Sequence, residues 1–241
     1  MTATSFRVGT SGWHYAHWAG LFYPADLPPG DWLGFYARHF DTVEINRSFY
    51  RLPTAGAMQA WRDAVPEGFV FAVKGSRFIT HMKKLKESGA ALAAFLPLLD
   101  ELRDKRGPVL FQLPPRWSCN VARLAAFLDA WPGGVPCAFE FRDPSWHCAA
   151  VYEVLRAHNA AFCVFDIGGF RSPAVVTADF VYLRLHGPGA PYSGCYTSAA
   201  LGEWAAAIEG WRGLRAVYVY FDNDQAAYAV RNALELKDML G

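Results

Sequence analysis

Short β-prone runs recur eight times along the chain, at 6–11, 42–48, 69–76, 108–113, 136–142, 161–166, 180–186 and 216–222, each ending in a polar or charged residue. Several alternate strictly. Val181, Leu183 and Leu185 oppose Tyr182, Arg184 and His186; Val217, Val219 and Phe221 oppose Tyr218, Tyr220 and Asp222. Phe139 and Phe141 oppose Glu140 and Arg142, and Val43 and Ile45 oppose Glu44 and Asn46. A two-residue period puts each set on one face of a sheet. Between the runs the period changes to that of a helix. Leu33, Tyr36, Ala37 and Phe40 form one stripe, Val121, Leu124, Ala125, Leu128 and Trp131 a second, and Leu201, Trp204, Ala205, Ile208 and Trp211 a third. Asn120, Ser198 and Asp31 stand where N-caps belong.

Strand followed by helix, eight times in 241 residues, predicts an α/β fold: a (β/α)₈ TIM barrel built as one domain over 1–241. The outer helices offer apolar stripes, so the apolar strand faces pack outward and the charged faces point into the barrel. A doubly wound open sheet would not place so many charges along central strands. Segment 167–179 has room only for a turn or short helix, so the sixth helix is expected to be short or irregular and that side partly open.

Composition narrows the partners. Hydrophobic residues make up 53%, enough for one large core, and no Pro/Gly/Ser-rich linker divides the chain. A formal net charge of +1 gives no field for nucleic acid or anionic lipid, while a small anion can still be drawn by local charge. Apolar runs fall short of the roughly 18–20 residues that span a bilayer. The start, MTATS, has no leader pattern, and a cytoplasmic location is expected. Five cysteines without CxxC spacing read as reduced packing residues.

Barrels of this type carry their sites at the C-terminal ends of the strands. There the chain places Glu44, Lys74, Gln112, Glu140, Arg142, Asp166, Arg184, His186 and Asp222. The motifs around them are VGTSGW (8–13), VEINRSFYRLP (43–53), FAVKGSRFITHMKKL (71–85), LFQLPP (110–115), FEFRDPSW (139–146), YLRLHG (182–187) and YFDND (220–224). In that order they resemble the YecE-like family, domain of unknown function 72. The resemblance implies a TIM barrel similar in shape to sugar isomerases and metal-dependent nucleases, and no established reaction. Where the family often reads FRHPSW and FNND, this chain has Asp143 and Asp222, so a role for a histidine or a neutral amide does not carry over.

The residues themselves suggest roles. Glu44, Glu140 and His186 are candidates for proton transfer, with Asp166 beside them. Lys74 is an anion anchor, or a desolvated amine acting as base or nucleophile. Arg142 and Arg184 are forks suited to carboxylate or phosphate. Asn46, Tyr50, Gln112 and Asn223 would orient substrate, and Trp13, Trp146 and Tyr192 would wall it. Trp18 and Phe22 are expected to pack the first loop against the first helix. The basic loop 76–86 reads as a lid, a solvated connection or, against the neutral total charge, a single-strand nucleic-acid contact. Gly187, Gly189 and Gly194, with Asn223 and Asp224, occupy a region where barrels often hold phosphate. No NTP or dinucleotide fingerprint and no GxSxG elbow occurs, so cofactors stay open. A divalent metal on Glu44, Glu140, Asp166, His186 and Asp222 is disfavoured, because two arginines and a lysine compete for the same carboxylates. The leading expectation is an enzyme using acid/base chemistry on a small polar or anionic metabolite: a sugar, sugar phosphate or nucleotide fragment. A non-catalytic metabolite-binding module and a metal-dependent phosphodiesterase or nuclease are the alternatives.

Overall fold

The computed structural model describes residues 4–241. All eight predicted runs are strands: β1 (Ser5–Thr10), β2 (Thr42–Ile45), β3 (Val70–Lys74), β4 (Arg106–Leu113), β5 (Cys137–Phe141), β6 (Ala161–Ile167), β8 (Phe180–Leu185) and β9 (Ala216–Phe221). A two-residue strand, β7 (Phe170–Arg171), hairpins back onto β6. The eight long strands run parallel in the order β1-β9-β8-β6-β5-β4-β3-β2. An isolated bridge between Ser11 and Glu44, with Gly12 N donating to Glu44 O at 2.9 Å, brings β1 back to β2. The result is a nearly closed TIM-type barrel.

The outer ring comprises α1 (Trp32–Tyr36), α2 (Ala55–Asp63), α3 (Gly89–Asp100), α4 (Val121–Ala130), α5 (Ala149–Ala157), α6 (Ser198–Glu209) and α7 (Tyr228–Leu240). Asn120 caps α4 as expected, its Oδ1 accepting from Arg123 N. The cap of α6 is Thr197 rather than Ser198, and Asp31 makes no side-chain capping bond. The stripe ending at Phe40 is helical only to Tyr36 and continues as turns.

The sixth unit has no helix, but the barrel is not open there. β6 and β8 pair from Cys163–Tyr182 to Asp166–Leu185. Side-chain hydroxyls fasten the connection in place of a helix. Thr177 Oγ1 accepts from Phe162 N and donates to Ala160 O, both at 2.7 Å, and Ser172 Oγ accepts from Phe165 N at 2.9 Å. The thinner seam is β5–β6, whose register contains only Ala138–Ala161 and Phe139–Phe162.

Two apolar clusters follow the strand alternation. Val43, Phe139, Phe141, Val181, Leu183, Val217 and Val219 pack outward with the helices. Inside, small Ala72, Ala138 and Ala161 lie in one cluster with large Phe180, Tyr182, Tyr218 and Tyr220. This plug fills the barrel, so the polar residues above it form a floor rather than a channel. Trp18 is fully buried and Tyr23 stacks on Trp32 at 5.0 Å, anchoring the first loop to α1. Among the described residues no helix is long and apolar enough to cross a membrane.

Candidate active site

Alternation on β2, β5, β8 and β9 carries Glu44, Glu140, Arg184 and Asp222 inward, and register brings them together. Arg184 Nη2 lies 2.7 Å from Glu44 Oε1 and 3.0 Å from Asp222 Oδ2, and Nη1 donates to Glu140 Oε2 at 2.9 Å. Glu44, Glu140 and Arg184 are fully buried. Ser11 Oγ donates to Glu44 Oε1, and Tyr182 OH donates to Glu44 Oε2 at 2.6 Å. Arg142 Nε donates to Glu140 Oε1. Burial alone would raise the Glu140 carboxyl, but the charges of Arg142 and Arg184 outweigh it and hold it well below the usual range. Asp222 is lowered in the same way: burial opposes, and Arg184 and the His186 bond prevail.

His186 is fully buried, with Nδ1 3.0 Å from Asp222 Oδ2. Its Nε2 faces Arg142 Nη2 at 3.0 Å and Arg184 Nη1 at 3.4 Å, and Glu140 Oε2 at 3.3 Å. Guanidinium groups only donate, so Nε2 accepts and Nδ1–H donates to Asp222.

Lys74 is the cation that the ring does not bond. Among the described residues its side-chain amine makes no hydrogen bond and has no carboxylate within 4.0 Å, and Nζ is not sealed from solvent. Nζ sits 4.6 Å over the Phe49 ring centroid. Burial, reinforced by Arg184, brings its amine down to about 8. Gln112, inward on β4, and Arg142 Nη1 also lack a protein partner among the described residues and stay open to the mouth. Gln112, Arg142, Phe165 and Tyr192 line a cavity of about 380 Å³. Tyr192 is half exposed, with its ring edge-on to His186 at 5.5 Å. A separate cavity of about 330 Å³, over β1 and β2, is bounded by Trp13, Tyr15, Asn46, Tyr50 and Trp61. There Trp13 is buried edge-on to Trp61, while Tyr50 is 71% exposed.

Three expected site residues stand outside the mouth. Asp166 shares the outward parity of Phe162 and Val164 on β6, and its Oδ2 pairs with Arg171 Nε at 3.3 Å. Burial raises its carboxyl despite Arg171. Trp146 is fully buried, stacks on Phe141 at 5.0 Å and donates from Nε1 to Trp117 O. It is core, not a substrate wall. Asn223 Nδ2 donates to Gly194 O at 2.8 Å and to Asn232 Oδ1 at 3.0 Å, tying the loop after β8 to α7. The glycine-rich loop is likewise committed: Gly187 N donates to Tyr196 OH and Gly194 N to Gln225 Oε1.

Two participants had no role assigned from sequence. Ser11 joins the ring, a position legible from β1 parity two residues beyond Gly9; Tyr182 was placed inward without a function. Among the described residues no three His, Cys, Asp or Glu side chains are grouped to hold a metal ion. Arg184 occupies the centre between Glu44, Glu140 and Asp222 that such an ion would need.

Comparison with known proteins accords with this architecture. The chain is 28% identical to the UPF0759 protein YunF of Bacillus subtilis over 272 residues, 97% of this chain and 94% of that one. Against the UPF0759 protein YecE of Escherichia coli it is 29% identical over 140 residues, 58% of this chain and 49% of that one. A solved DUF72 family protein from Thermotoga maritima superposes with a TM-score of 0.87 at 28% identity, covering 98% of this chain and 99% of that one. One from Enterococcus faecalis shares the fold, with a TM-score of 0.83 at 22% identity over 98% and 95% of the two chains. The family model described as "Protein of unknown function DUF72" matches residues 7–241, and the chain therefore belongs to the DUF72 family.

Proposed function

We propose that this protein is an enzyme that binds a small anionic metabolite at the C-terminal mouth of the barrel and transfers a proton on it. One observation supports this most directly. The neighbouring strands β3, β4 and β5 each carry, at or just beyond the C-terminal end, an inward donor without a full set of protein partners: Lys74, Gln112 and Arg142. A network that only closed the barrel would match each cation to a carboxylate. Here Arg184 draws in all three carboxylates and Lys74 is left desolvated and unmatched, a cost a bound anion would offset. The open edge of the Arg142 fork suits a carboxylate or phosphate. Tyr192 would cover the sugar or base that carries it.

His186, oriented by Asp222, is the proton carrier, and Lys74, with its amine brought down to about 8, is a second group able to exchange a proton. Glu44 and Glu140 are sealed by Arg184 and set the field rather than exchange protons with substrate. Calorimetry with inorganic phosphate and a panel of sugar phosphates tests the binding half. Lys74→Met and Arg142→Ala should each weaken affinity by roughly 10-fold or more while circular dichroism stays that of a folded barrel. Equal binding by wild type and variants would refute the site. Solvent-deuterium exchange into a bound ligand, followed by NMR, tests the chemistry; tight binding with no exchange would make the protein a binding module instead.

A further inference from the structure

We propose that Lys74 is a nucleophile whose amine condenses with an aldehyde or ketone carbonyl of the substrate to form an imine. The inference rests on the anion-binding reading above and supplies the functional group which that reading leaves open.

The surroundings of Lys74 carry it. The side chain stands at the inward end of β3, in the layer above Ala72 of the apolar plug. Glu44, Glu140 and Asp222 are all drawn to Arg184, so none lies within 4.0 Å of the amine, and their more distant charges do not offset burial and Arg184. Phe49 gives it an aromatic wall at 4.6 Å, and Nζ is not sealed from solvent. Desolvation beside another fixed cation is the setting that frees a lysine of its proton. Here burial and Arg184 bring the amine to about 8, leaving a substantial free-base fraction near neutral pH. An arginine here could hold an anion but would keep its charge; a lysine can hold the anion and also give up its proton.

The step balances without a redox partner. The Nζ lone pair attacks the carbonyl carbon and the C=O π pair moves to oxygen. The resulting carbinolamine expels that oxygen as water, which carries away both amine hydrogens as the C=N bond forms. Taking up one proton from solvent, the imine becomes an iminium that acts as an electron sink, which is how an amine makes a neighbouring C–H or C–C bond labile.

Glyoxylate, a small anionic aldehyde, serves as the probe, with cyanoborohydride to reduce any imine to a stable secondary amine and peptide mass mapping to locate it. Lys83, Lys84 and Lys86, on the loop after β3, are internal controls. Near neutral pH, labelling at Lys74 should run on the order of 10- to 100-fold faster than at those controls, and saturate with glyoxylate. Lys74→Arg, which has no amine able to form an imine, should abolish the fast label. A Lys74 that labels no faster than the controls overturns the proposal. Phosphate binding on the same samples separates the two readings. Intact phosphate binding with an unreactive Lys74 sinks the nucleophile alone; fast labelling in a wild-type protein that ignores phosphate sinks the anion site and leaves the nucleophile standing.

Discussion

Arg184 and Glu140 meet at 2.9 Å with both side chains fully buried. Because the same guanidinium also holds Glu44 and Asp222, its removal would leave Glu44 without a cation, Glu140 with Arg142 alone and Asp222 with His186 alone. Arg184→Ala should therefore lower the unfolding free energy by about 3–5 kcal/mol or prevent folding. Arg184→Met combined with Glu44→Gln should recover part of that loss, because one positive and one negative charge leave the network together. Urea denaturation measures both. An Arg184→Ala protein as stable as wild type would mean that the ring does not depend on this arginine.

Lys74 should behave in the opposite way. Its folded-state amine titrates at about 8, below the roughly 10.4 of an unfolded lysine. Between those values the unfolded chain holds a proton the folded chain has released, so stability rises with pH across that window. Below it the buried ammonium is a standing penalty. Lys74→Met should then stabilise the barrel near neutral pH by an order of 2 kcal/mol, while weakening anion binding. It should also flatten the alkaline rise in stability. A variant less stable than wild type at neutral pH would show the ammonium to be well solvated or paired in the fold.

The sequence made some of this legible and hid the rest for definable reasons. β8 and β9 were readable because Arg184, His186 and Asp222 contrast with the Val and Leu of the opposite face. β6 offers no such contrast: Ala161, Cys163 and Phe165 on one face are as apolar as Phe162 and Val164 on the other. With both faces apolar, a terminal Asp166 reads as inward although its parity is outward. Trp146 follows a strand in a loop, and its burial depends on Trp117, far away in sequence. The convergence of three carboxylates on Arg184 depends on strand register, which periodicity does not specify. The missing sixth helix was legible from length; that Thr177 and Ser172 would close the gap was not.

Acid should unfold this protein through the ring. The Glu140 and Asp222 carboxyls are both depressed in the folded state, below the roughly 4.3 and 3.9 of free Glu and Asp. Their contribution is present above those values and is lost as pH falls through the folded-state ones, where the unfolded chain binds more protons. Wild type should lose stability steeply below about pH 4. Glu140→Gln should start less stable at neutral pH but fall more gently. Urea unfolding at a series of pH values gives both slopes; identical slopes would remove Glu140 from the account.

Gly9 decides whether the barrel can close. On β1 it faces inward toward β2, and a Cβ there would stand 2.3 Å from Thr42 O and 3.0 Å from the Tyr36 hydroxyl. Its φ is ordinary for a strand, so close approach rather than backbone freedom is what requires glycine. The β1–β2 seam is held by few bonds, chiefly the Ser11–Glu44 bridge and Gly12 N to Glu44 O, so it has little reserve against being wedged apart. Gly9→Ala must displace backbone, not a flexible side-chain end, at an expected cost of about 1–3 kcal/mol. Opening the seam would also draw Ser11 from Glu44, so affinity for phosphate should fall alongside stability. Urea unfolding and phosphate calorimetry on Gly9→Ala measure the pair of effects; an alanine accepted without loss of either would place the closure of the barrel elsewhere.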